Sequence, residues 1–259
     1  MIFSDLDGTL LDHQAYSFEL ARPALNKLAG LKIPLILASS KTAMELTEIR
    51  RVMGFSHCPA IVENGAGILP SGNADIGDLD QSQYYKLLEI IAVAPKELGA
   101  NFSGFANWSL AELRNHTGLS ESNCKKAIAR QFSEPGLWTG TVEGLMKYKY
   151  WLSEHGVSVQ QGGRFTTLSF GFDKAQRMAQ IVEGYKEVTS ITQTLALGDA
   201  ANDIGMLQAA DHGVIVLNPE TEELPVLEGE HSGTISRTQL PGPQGWNEAV
   251  LSYVERNLP

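Results

Sequence analysis

The chain has 259 residues, of which 43% are apolar, and its 30 acidic and 20 basic side chains give a formal net charge of −10. This length predicts one or two domains with a sizeable core. The acidic balance, without any run rich in lysine and arginine, disfavours a nucleic-acid partner, which needs an extended positive surface. No stretch approaches the roughly 18 uncharged apolar residues of a membrane span, and Met1 leads straight into a strand without a signal-like segment. We therefore expect a cytoplasmic protein that binds neither nucleic acid nor membrane.

The first part of the chain alternates short apolar runs with amphipathic segments. The elements predicted there are a strand at 2–4, a helix at 18–29, a strand at 33–38, a helix at 42–53 and a strand at 60–62. Strands that alternate with helices are typical of parallel βαβ units. We expect these units to form a parallel, Rossmann-like sheet.

The middle of the chain has a different pattern. Residues 70–80, PSGNADIGDLD, are rich in glycine and aspartate, which is typical of a domain boundary. Beyond it, Ser109 and Glu112 have the spacing of a capping box at a helix start. Other elements predicted here are helices at 83–98, 121–131 and 142–154 and strands near 101–106, 157–161 and 165–170. This mixture predicts an α+β cap domain at 81–170.

A second α/β run begins near Asp173. It comprises a helix at 174–186, a strand at 194–197, a helix at 203–210, a strand at 213–217 and a last helix at 247–256. Because both α/β runs can share one sheet, we predict a single α/β core made of 1–80 and 171–259, into which the cap is inserted.

Two acidic residues, Asp5 and Asp7, follow the first predicted strand in the sequence DLDGT. At the carboxyl end of a strand the backbone can aim both carboxylates toward one crevice, and Gly8 permits the tight turn that follows. Two carboxylates so close together are costly without a cationic partner. The pattern indicates a site for a metal ion and a phosphate, although an isolated motif of this kind also occurs as an acidic turn that solvates a strand end.

Three further segments fall where a phosphate-handling crevice needs them. The sequence SSKT at 39–42 joins a strand to a helix and offers a hydroxyl, a cation and helix N–H groups in one turn. Lys174 opens the helix after the predicted cap, and GDAAND at 198–203 puts two acids around a strand-to-helix turn. Taken singly, such segments are more often a helix cap, a surface lysine and a helix-start acid.

Together and in this order, the strand-end DLDGT, Ser39, Lys174 and GDAAND resemble the haloacid dehalogenase superfamily of phosphotransferases. The resemblance to its core covers residues 1–76 and 171–220. An insert between Ser39 and Lys174 is similar to the larger α/β cap subclass of that superfamily. The resemblance implies two-step phosphoryl transfer with Mg²⁺ as the cofactor.

The same resemblance implies a role for each motif residue. Asp5 would be the nucleophile that forms an aspartyl-phosphate, and Asp7 would protonate the leaving oxygen and then deprotonate the attacking water. The implied Mg²⁺ ligands are Asp5, the backbone carbonyl of Asp7, Asp199 and, directly or through water, Asp203. Ser39 and Lys174 would hold the transferring phosphoryl oxygens. The preference of Mg²⁺ for oxygen ligands agrees with this set.

Four shorter sequence motifs resemble those of the mannosyl-3-phosphoglycerate phosphatase family. These are SSKT at 39–42, ENGA at 63–66, GGRF at 162–165 and GWNEAV at 245–250. This resemblance implies a small phosphorylated sugar-glycerate as substrate, mannosyl before glucosyl, and the compatible solute mannosylglycerate as product. Arg164 is predicted to bind the glycerate carboxylate, because a planar guanidinium can donate two parallel hydrogen bonds to it. The implied substrate-binding residues are Ser39, Ser40, Lys41, Asn64, Gly65, Arg164, Lys174 and Asn202. After Phe165 the chain has Thr166 and Thr167, where the family pattern has an aromatic residue and a histidine.

Other interpretations stay open at the level of sequence. A broad-specificity sugar-phosphate phosphatase would use the same core, and so would a sugar phosphomutase, which must return the phosphoryl group from Asp5 to a sugar. A catalytically inactive scaffold would bind phosphorylated ligands without turnover, but every acid of the motifs is intact. The sequence is compatible with a monomer or a homodimer.

Overall fold

A computed structural model of the chain describes residues 1–12, 16–72, 80–162, 164–187 and 193–257. The chain forms two compact units. The first unit comprises Met1–Ser39, Glu48–Asn73 and Asp173–Pro259, and the second comprises Ser40–Thr47 and Ala74–Phe172. Residues 40–47, which were predicted to belong to the core, cluster with the second unit.

Eleven strands are present in the described part of the chain. They are β1 (Ile2–Ser4), β2 (Leu35–Ala38), β3 (Ala60–Val62), β4 (Gly67–Leu69), β5 (Phe102–Gly104), β6 (Ser133–Trp138), β7 (Ser158–Gly162), β8 (Phe165–Ser169), β9 (Leu195–Gly198), β10 (His212–Leu217) and β11 (Ile235–Pro241). Seven of them form one sheet in the order β11-β10-β9-β1-β2-β3-β4. Its neighbouring strands are parallel except for the antiparallel pair β3 and β4.

The α-helices among the described residues are α1 (Arg22–Gly30), α2 (Ala43–Met53), α3 (Ser82–Ala92), α4 (Lys96–Gly99), α5 (Leu110–Thr117), α6 (Glu121–Ala127), α7 (Val142–Glu154), α8 (Lys174–Lys186), α9 (Ile204–Ala209), α10 (Glu228–Ser232) and α11 (Gln244–Asn257). In the described residues, none of these helices combines the length and the apolar character needed to cross a bilayer.

The central strands of the large sheet are completely buried, as is typical of parallel strands whose connections cover both faces of the sheet. Every residue of β1, β2, β3 and β9 is buried. Strands covered on both faces are near-continuous apolar runs, and this is the pattern that identified them in the sequence. The predicted α/β fold class is confirmed.

The second unit contains a four-stranded sheet in the order β5-β6-β8-β7, in which all paired strands are antiparallel. One apolar cluster in this unit joins Leu87, Tyr148, Leu152, Val157 and Leu168. The predicted capping box is present, since Ser109 accepts from the Glu112 amide and the Glu112 carboxylate accepts from the Ser109 amide.

Several sequence-based boundaries are correct and others are wrong. The helices predicted at 142–154 and 174–186 match α7 and α8. The helix predicted at 83–98 is present but too long, because the chain leaves the helix after Ala92 and Pro95 starts a separate turn. The helix predicted at 121–131 ends at Ala127. Most of the predicted boundary at 70–80 lies outside the described residues.

Candidate active site

The first two acids of the site follow the carboxyl ends of neighbouring strands. β1 pairs in parallel with β9, with Ser4 opposite Leu197, and the Asp5 amide donates to the Leu197 carbonyl at 2.9 Å. Asp5 and Asp199 therefore emerge from the same edge of the sheet, where parallel α/β folds place their ligands.

Lys174 lies between two carboxylates. Its ammonium is 2.6 Å from Asp5 Oδ1 and 2.7 Å from Asp203 Oδ1. All three residues are buried, with exposed fractions of 1% for Lys174, 7% for Asp5 and 0% for Asp203. The capping box of α8, formed by Asp173 and Gln176, fixes the helix start that carries Lys174. This buried ion cluster is assembled from three separate segments of the chain.

Asp203 is also held by backbone donors. Its Oδ2 atom accepts from the amides of Asp199 and Ala200 at 3.2 and 3.1 Å. A carboxylate that receives N–H donors in a strand-to-helix turn is fixed in orientation. One oxygen of Asp203 thus shapes the turn and the other faces Lys174.

Asp199 is held by neutral side chains on both of its oxygens. Thr9 Oγ1 donates to Oδ1 at 2.5 Å, and Asn218 Nδ2 donates to Oδ2 at 2.7 Å. Thr9 and Asn218 are both buried. The carboxylate plane of Asp199 is therefore fixed from two sides.

The pKa values of these groups reflect burial and mutual charge. Burial raises the pKa of Asp5 well above its ordinary value, Lys174 opposes this, and Asp203 and Asp199 add to it. Burial also raises the pKa of Asp199, against the hydrogen bonds from Asn218 and Thr9. Burial alone would lower the pKa of Lys174, but the carboxylates of Asp203 and Asp5 outweigh it and leave that pKa above its usual value. Burial therefore makes Asp5 and Asp199 harder to ionise than a free aspartate unless further positive charge binds beside them.

The acidic residues fit a divalent metal ion. One carboxylate oxygen from each of Asp5, Asp199 and Asp203 lies within 4.8 Å of the others. With all groups ionised, these three carboxylates and the Lys174 ammonium have a formal charge of −2. Hard oxygen donors with that charge suit Mg²⁺, which binds few carboxylates and retains waters and phosphate oxygens as its other ligands.

Asp7 and Ser39 lie on the same edge of the sheet. Asp7 is half-buried in the turn after β1, which closes through the Gly8 amide and the Leu11 carbonyl at 3.0 Å. Ser39 is 1% exposed and follows β2, the neighbour of β1. The Ser39 amide donates to the Ile61 carbonyl, and the Ser39 carbonyl accepts from the Asn64 amide. The sequence placed both residues correctly at strand ends.

The ENGA segment packs against the start of α8. Asn64 accepts at Oδ1 from Asn202 Nδ2 at 3.1 Å, so the structure brings these two predicted residues together. Arg177 donates to the Gly65 and Ala66 carbonyls, each at 2.9 Å. Asn64 and Gly65 have φ values of 59° and 98°. This turn braces the helix that carries Lys174.

Ser40, Lys41 and Arg164 belong to the second unit. The Ser40 carbonyl accepts from Arg130 Nη1 at 2.9 Å. Arg164 Nη1 donates to the His116 carbonyl at 2.7 Å, and its guanidinium lies 5.6 Å from the centroid of the Phe165 ring. In this structure, therefore, Arg164 is held within its own unit.

Asn218 and Arg177 contact the site but were missed in the sequence. Asn218 directly follows β10, which pairs in parallel with β9. The rule that drew attention to Asp5 and Asp199, a polar residue at the carboxyl end of a parallel strand, also applies to Asn218. Arg177 lies one turn after Lys174, and only the packing of α8 against the ENGA segment reveals its contact.

Comparison with known proteins gives the family and the fold. The family model for the haloacid dehalogenase-like hydrolase matches residues 2–135 and 141–223. A relative from Methanococcoides burtonii, named glucosyl-3-phosphoglycerate/mannosyl-3-phosphoglycerate phosphatase, is 30% identical over 275 residues. The alignment covers 99% of this chain and 98% of that protein.

Solved structures with low sequence identity share the fold. A protein from Thermotoga maritima has a TM-score of 0.65 at 18% identity, covering 97% of this chain and 96% of that one. The sucrose-phosphatase from Synechocystis, solved with sucrose and phosphate, has a TM-score of 0.61 at 18% identity with the same coverage. A phosphatase from Bacteroides thetaiotaomicron has a TM-score of 0.64 at 19% identity, covering 97% and 94%. With the family model spanning most of its length, the chain belongs to the haloacid dehalogenase-like hydrolase family.

Proposed function

We propose that this chain is a Mg²⁺-dependent phosphatase that hydrolyses a glycosyl-3-phosphoglycerate, with the mannosyl ester as its preferred substrate. Its enzyme class, a phosphoric monoester hydrolase, follows from the family and from the phosphatase that it resembles over its full length. The finer statement on the substrate rests chiefly on that relative, whose name gives both the glucosyl and the mannosyl ester.

In the first step of the proposed mechanism, a carboxylate oxygen of Asp5 attacks the phosphorus atom. The bond from phosphorus to the glycerate oxygen breaks as the bond to Asp5 forms. Asp7 gives its proton to the departing oxygen, so that the glycosylglycerate leaves as an alcohol. Lys174, 2.6 Å from Asp5, and Ser39 would hold phosphoryl oxygens during the transfer.

In the second step, Asp7 takes a proton from a water molecule, and the resulting oxygen nucleophile attacks the phosphorus of the aspartyl-phosphate. The bond from phosphorus to Asp5 breaks, which releases phosphate and restores the Asp5 carboxylate. When bound by Asp5, Asp199, Asp203 and the Asp7 carbonyl, Mg²⁺ would supply positive charge that keeps the carboxylates ionised and offsets the charge of the phosphoryl oxygens. The formal charge of −2 on the three carboxylates and Lys174 supports this part of the proposal.

A broad-specificity sugar-phosphate phosphatase is the second candidate, and one observation favours it. Arg164, the residue proposed to recognise the glycerate carboxylate, donates instead to the His116 carbonyl. If this contact persists with substrate, GGRF is a structural feature of the second unit and gives no selectivity for glycerate esters.

The test is phosphate release with Mg²⁺ from a panel of five esters at equal concentration. The panel contains mannosyl-3-phosphoglycerate, glucosyl-3-phosphoglycerate, 3-phosphoglycerate, mannose 6-phosphate and sucrose 6-phosphate. We expect a kcat/KM for one or both glycosylated glycerates that exceeds those of mannose 6-phosphate and sucrose 6-phosphate by at least about a hundredfold, because these two esters lack the carboxylate with which Arg164 would pair. A flat profile would replace the proposed substrate with the broad-specificity alternative.

A further inference from the structure

The buried amide of Asn218 lies against an acid of the candidate metal site. Asn218 Nδ2 donates to Asp199 Oδ2 at 2.7 Å, while Thr9 Oγ1 donates to Asp199 Oδ1 at 2.5 Å. Each carboxylate oxygen has two lone pairs, so each can accept one of these bonds and still offer an electron pair to a cation. The two donors thus fix Asp199 without using up its capacity to bind a metal.

The orientation of Asn218 is itself fixed. Its Oδ1 atom accepts from the Glu220 amide at 3.0 Å, so the amide oxygen points into the turn after β10 and the NH₂ group points to Asp199. Strand pairing sets this position, because β10 runs parallel to β9 with Ile215 opposite Gly198. The side chain that orients Asp199 is therefore carried by the adjacent strand of the same sheet.

Asp199 differs from the other acids of the cluster in its partners. Asp5 and Asp203 each contact the Lys174 ammonium. Within the described residues, no lysine, arginine or histidine forms an ion pair with Asp199, and its two side-chain donors are neutral. Its negative charge is thus available to an added cation, provided that the carboxylate keeps its direction.

From this geometry we propose that Asn218 is a positioning residue for the metal site, which holds the Asp199 carboxylate in the orientation that binds Mg²⁺. The inference deepens the proposed function and rests on its Mg²⁺ dependence, but not on the identity of the substrate. Partners that orient a metal ligand typically contribute 10- to 100-fold to metal affinity, roughly the size of effect expected here.

The principal variant is Asn218→Ala. A cavity of about 410 Å³ borders both Asn218 and Asp199. Water can enter there when the amide is removed, so we expect the variant to fold. Asn247→Ala is the matched control, because Asn247 also uses its side-chain oxygen to hold a backbone amide, that of Ala24 at 2.9 Å, and within the described residues it forms no hydrogen bond with the acids of the site.

In the experiment, wild type, Asn218→Ala and Asn247→Ala are titrated with MgCl₂ in the absence of substrate. Calorimetry and the rise in Tm both measure Mg²⁺ binding. We expect the Mg²⁺ dissociation constant to rise about tenfold or more in Asn218→Ala and to stay unchanged in Asn247→Ala. With p-nitrophenyl phosphate, the Mg²⁺ concentration for half-maximal rate should rise in parallel, while the rate at saturating Mg²⁺ stays within about threefold.

Thr9→Val gives an independent test if Asn218→Ala does not fold. It removes the other side-chain donor to Asp199 with little change in volume, and we expect it to weaken Mg²⁺ binding in the same direction. Unchanged Mg²⁺ affinity in Asn218→Ala, equal losses in the Asn247→Ala control, or absence of Mg²⁺ binding by wild type would overturn the inference. Wild type that binds Mg²⁺ and cleaves p-nitrophenyl phosphate but no glycosyl-phosphoglycerate would overturn the proposed substrate alone.

Discussion

Single residues decide the chemistry of this site through their neighbours. Burial by itself disfavours the charged form of Asp5. The Lys174 ammonium, 2.6 Å away, offsets part of this effect by stabilising the carboxylate. A buried acid with a paired cation is costly to build and is therefore a strong indication of function. The proposed nucleophile is thus a buried acid whose pKa is raised.

Asp5→Asn tests this role directly. The amide cannot form an aspartyl-phosphate, so we expect turnover to fall by about 10³-fold or more with every phosphate ester. The measurement is phosphate release under saturating Mg²⁺, with circular dichroism to verify the fold. Asp211→Asn is the control, because that carboxylate holds Thr194 rather than Lys174 and its loss should leave turnover intact. Residual activity near the wild-type rate in Asp5→Asn would remove it as the nucleophile.

Arg164→Ala tests substrate recognition. If Arg164 pairs with the glycerate carboxylate, the KM for mannosyl-3-phosphoglycerate should rise about tenfold or more, as expected for a lost hydrogen bond between charged groups. The KM for p-nitrophenyl phosphate, which has no carboxylate, should stay within about twofold. Lys147→Ala, which removes another exposed cation of the same unit, serves as control. An equal rise in KM with both esters would mean that Arg164 does not recognise the carboxylate and has only a structural role through its contact with His116.

At the scale of elements, the turn around Gly65 fixes where α8 begins. A β-carbon on Gly65 would lie 2.6 Å from the Lys174 amide nitrogen and would also meet the Asp173 backbone. The φ of +98° at this position adds backbone strain for any other residue. The start of α8, and with it Lys174, can therefore approach this turn only because position 65 lacks a side chain.

Gly65→Ala and Gly54→Ala separate these two effects. Gly54 has a similar φ of +86°, but a β-carbon there would meet nothing within 4 Å. We expect Gly54→Ala to lower the free energy of unfolding by about 1–2 kcal/mol through strain alone. Gly65→Ala should lower the free energy of unfolding by clearly more than Gly54→Ala does, and it should also lower kcat. Urea unfolding and phosphate release measure the two quantities, and equal costs for both variants would contradict the close approach to α8.

The ion pair of Glu230 with Arg237 joins α10 to β11. Arg237 donates to both Glu230 oxygens, at 2.8 and 2.9 Å, and the Leu227 amide donates at 2.8 Å. These bonds lower the pKa of Glu230 from 4.5 to about 2. Because the pKa of Glu230 is lower in the folded chain, the ion pair contributes its full stabilisation at a pH above the ordinary glutamate pKa. This stabilisation is lost as the pH falls toward the pKa of Glu230 in the folded chain.

Glu230→Gln should therefore give a pH-dependent loss of stability. Near pH 7 we expect the variant to be less stable than wild type by about 1 kcal/mol, after allowing for screening of a partly exposed pair. The difference should shrink as the pH falls from about 4.5 to about 2. Thermal unfolding across this range measures it, with Glu143→Gln in an exposed helix pair as control. A difference that does not change with pH would contradict the role of the charge.

For the whole molecule, metal binding and folding should be linked. The carboxylates of Asp5, Asp199 and Asp203 come together only in the folded chain, so Mg²⁺ should bind and stabilise that state. At a hundredfold excess of Mg²⁺ over its dissociation constant, the expected gain is about 2.7 kcal/mol. Comparing Tm with MgCl₂ and with EDTA, at ionic strength matched by NaCl, measures the gain. The same increase in Asp199→Ala would mean that the ion binds elsewhere.

Local pattern was enough for the helices α7 and α8, for the buried strands β1, β2, β3 and β9 and for the polar residues at the ends of these strands. Helical and strand periodicities extend over only a few residues, and a parallel α/β arrangement directs the strand ends to one edge. The failures have equally local reasons. β6 was missed because it contains Pro135 and Gly136, which usually interrupt strands, and the edge strand β11 has little of the apolar pattern of a buried strand.

By itself, then, the sequence determined the α/β class. It also identified the acids of DLDGT and GDAAND, together with Lys174, as residues of one site and as motifs of one family. Only the tertiary structure decided that Lys174 bridges Asp5 and Asp203, that Asn218 holds Asp199, and that Arg164 contacts His116. The physical reason is distance along the chain, since Lys174 and Asp5 are 169 residues apart. Such contacts depend on how strands and helices pack, and no local window of sequence contains that information.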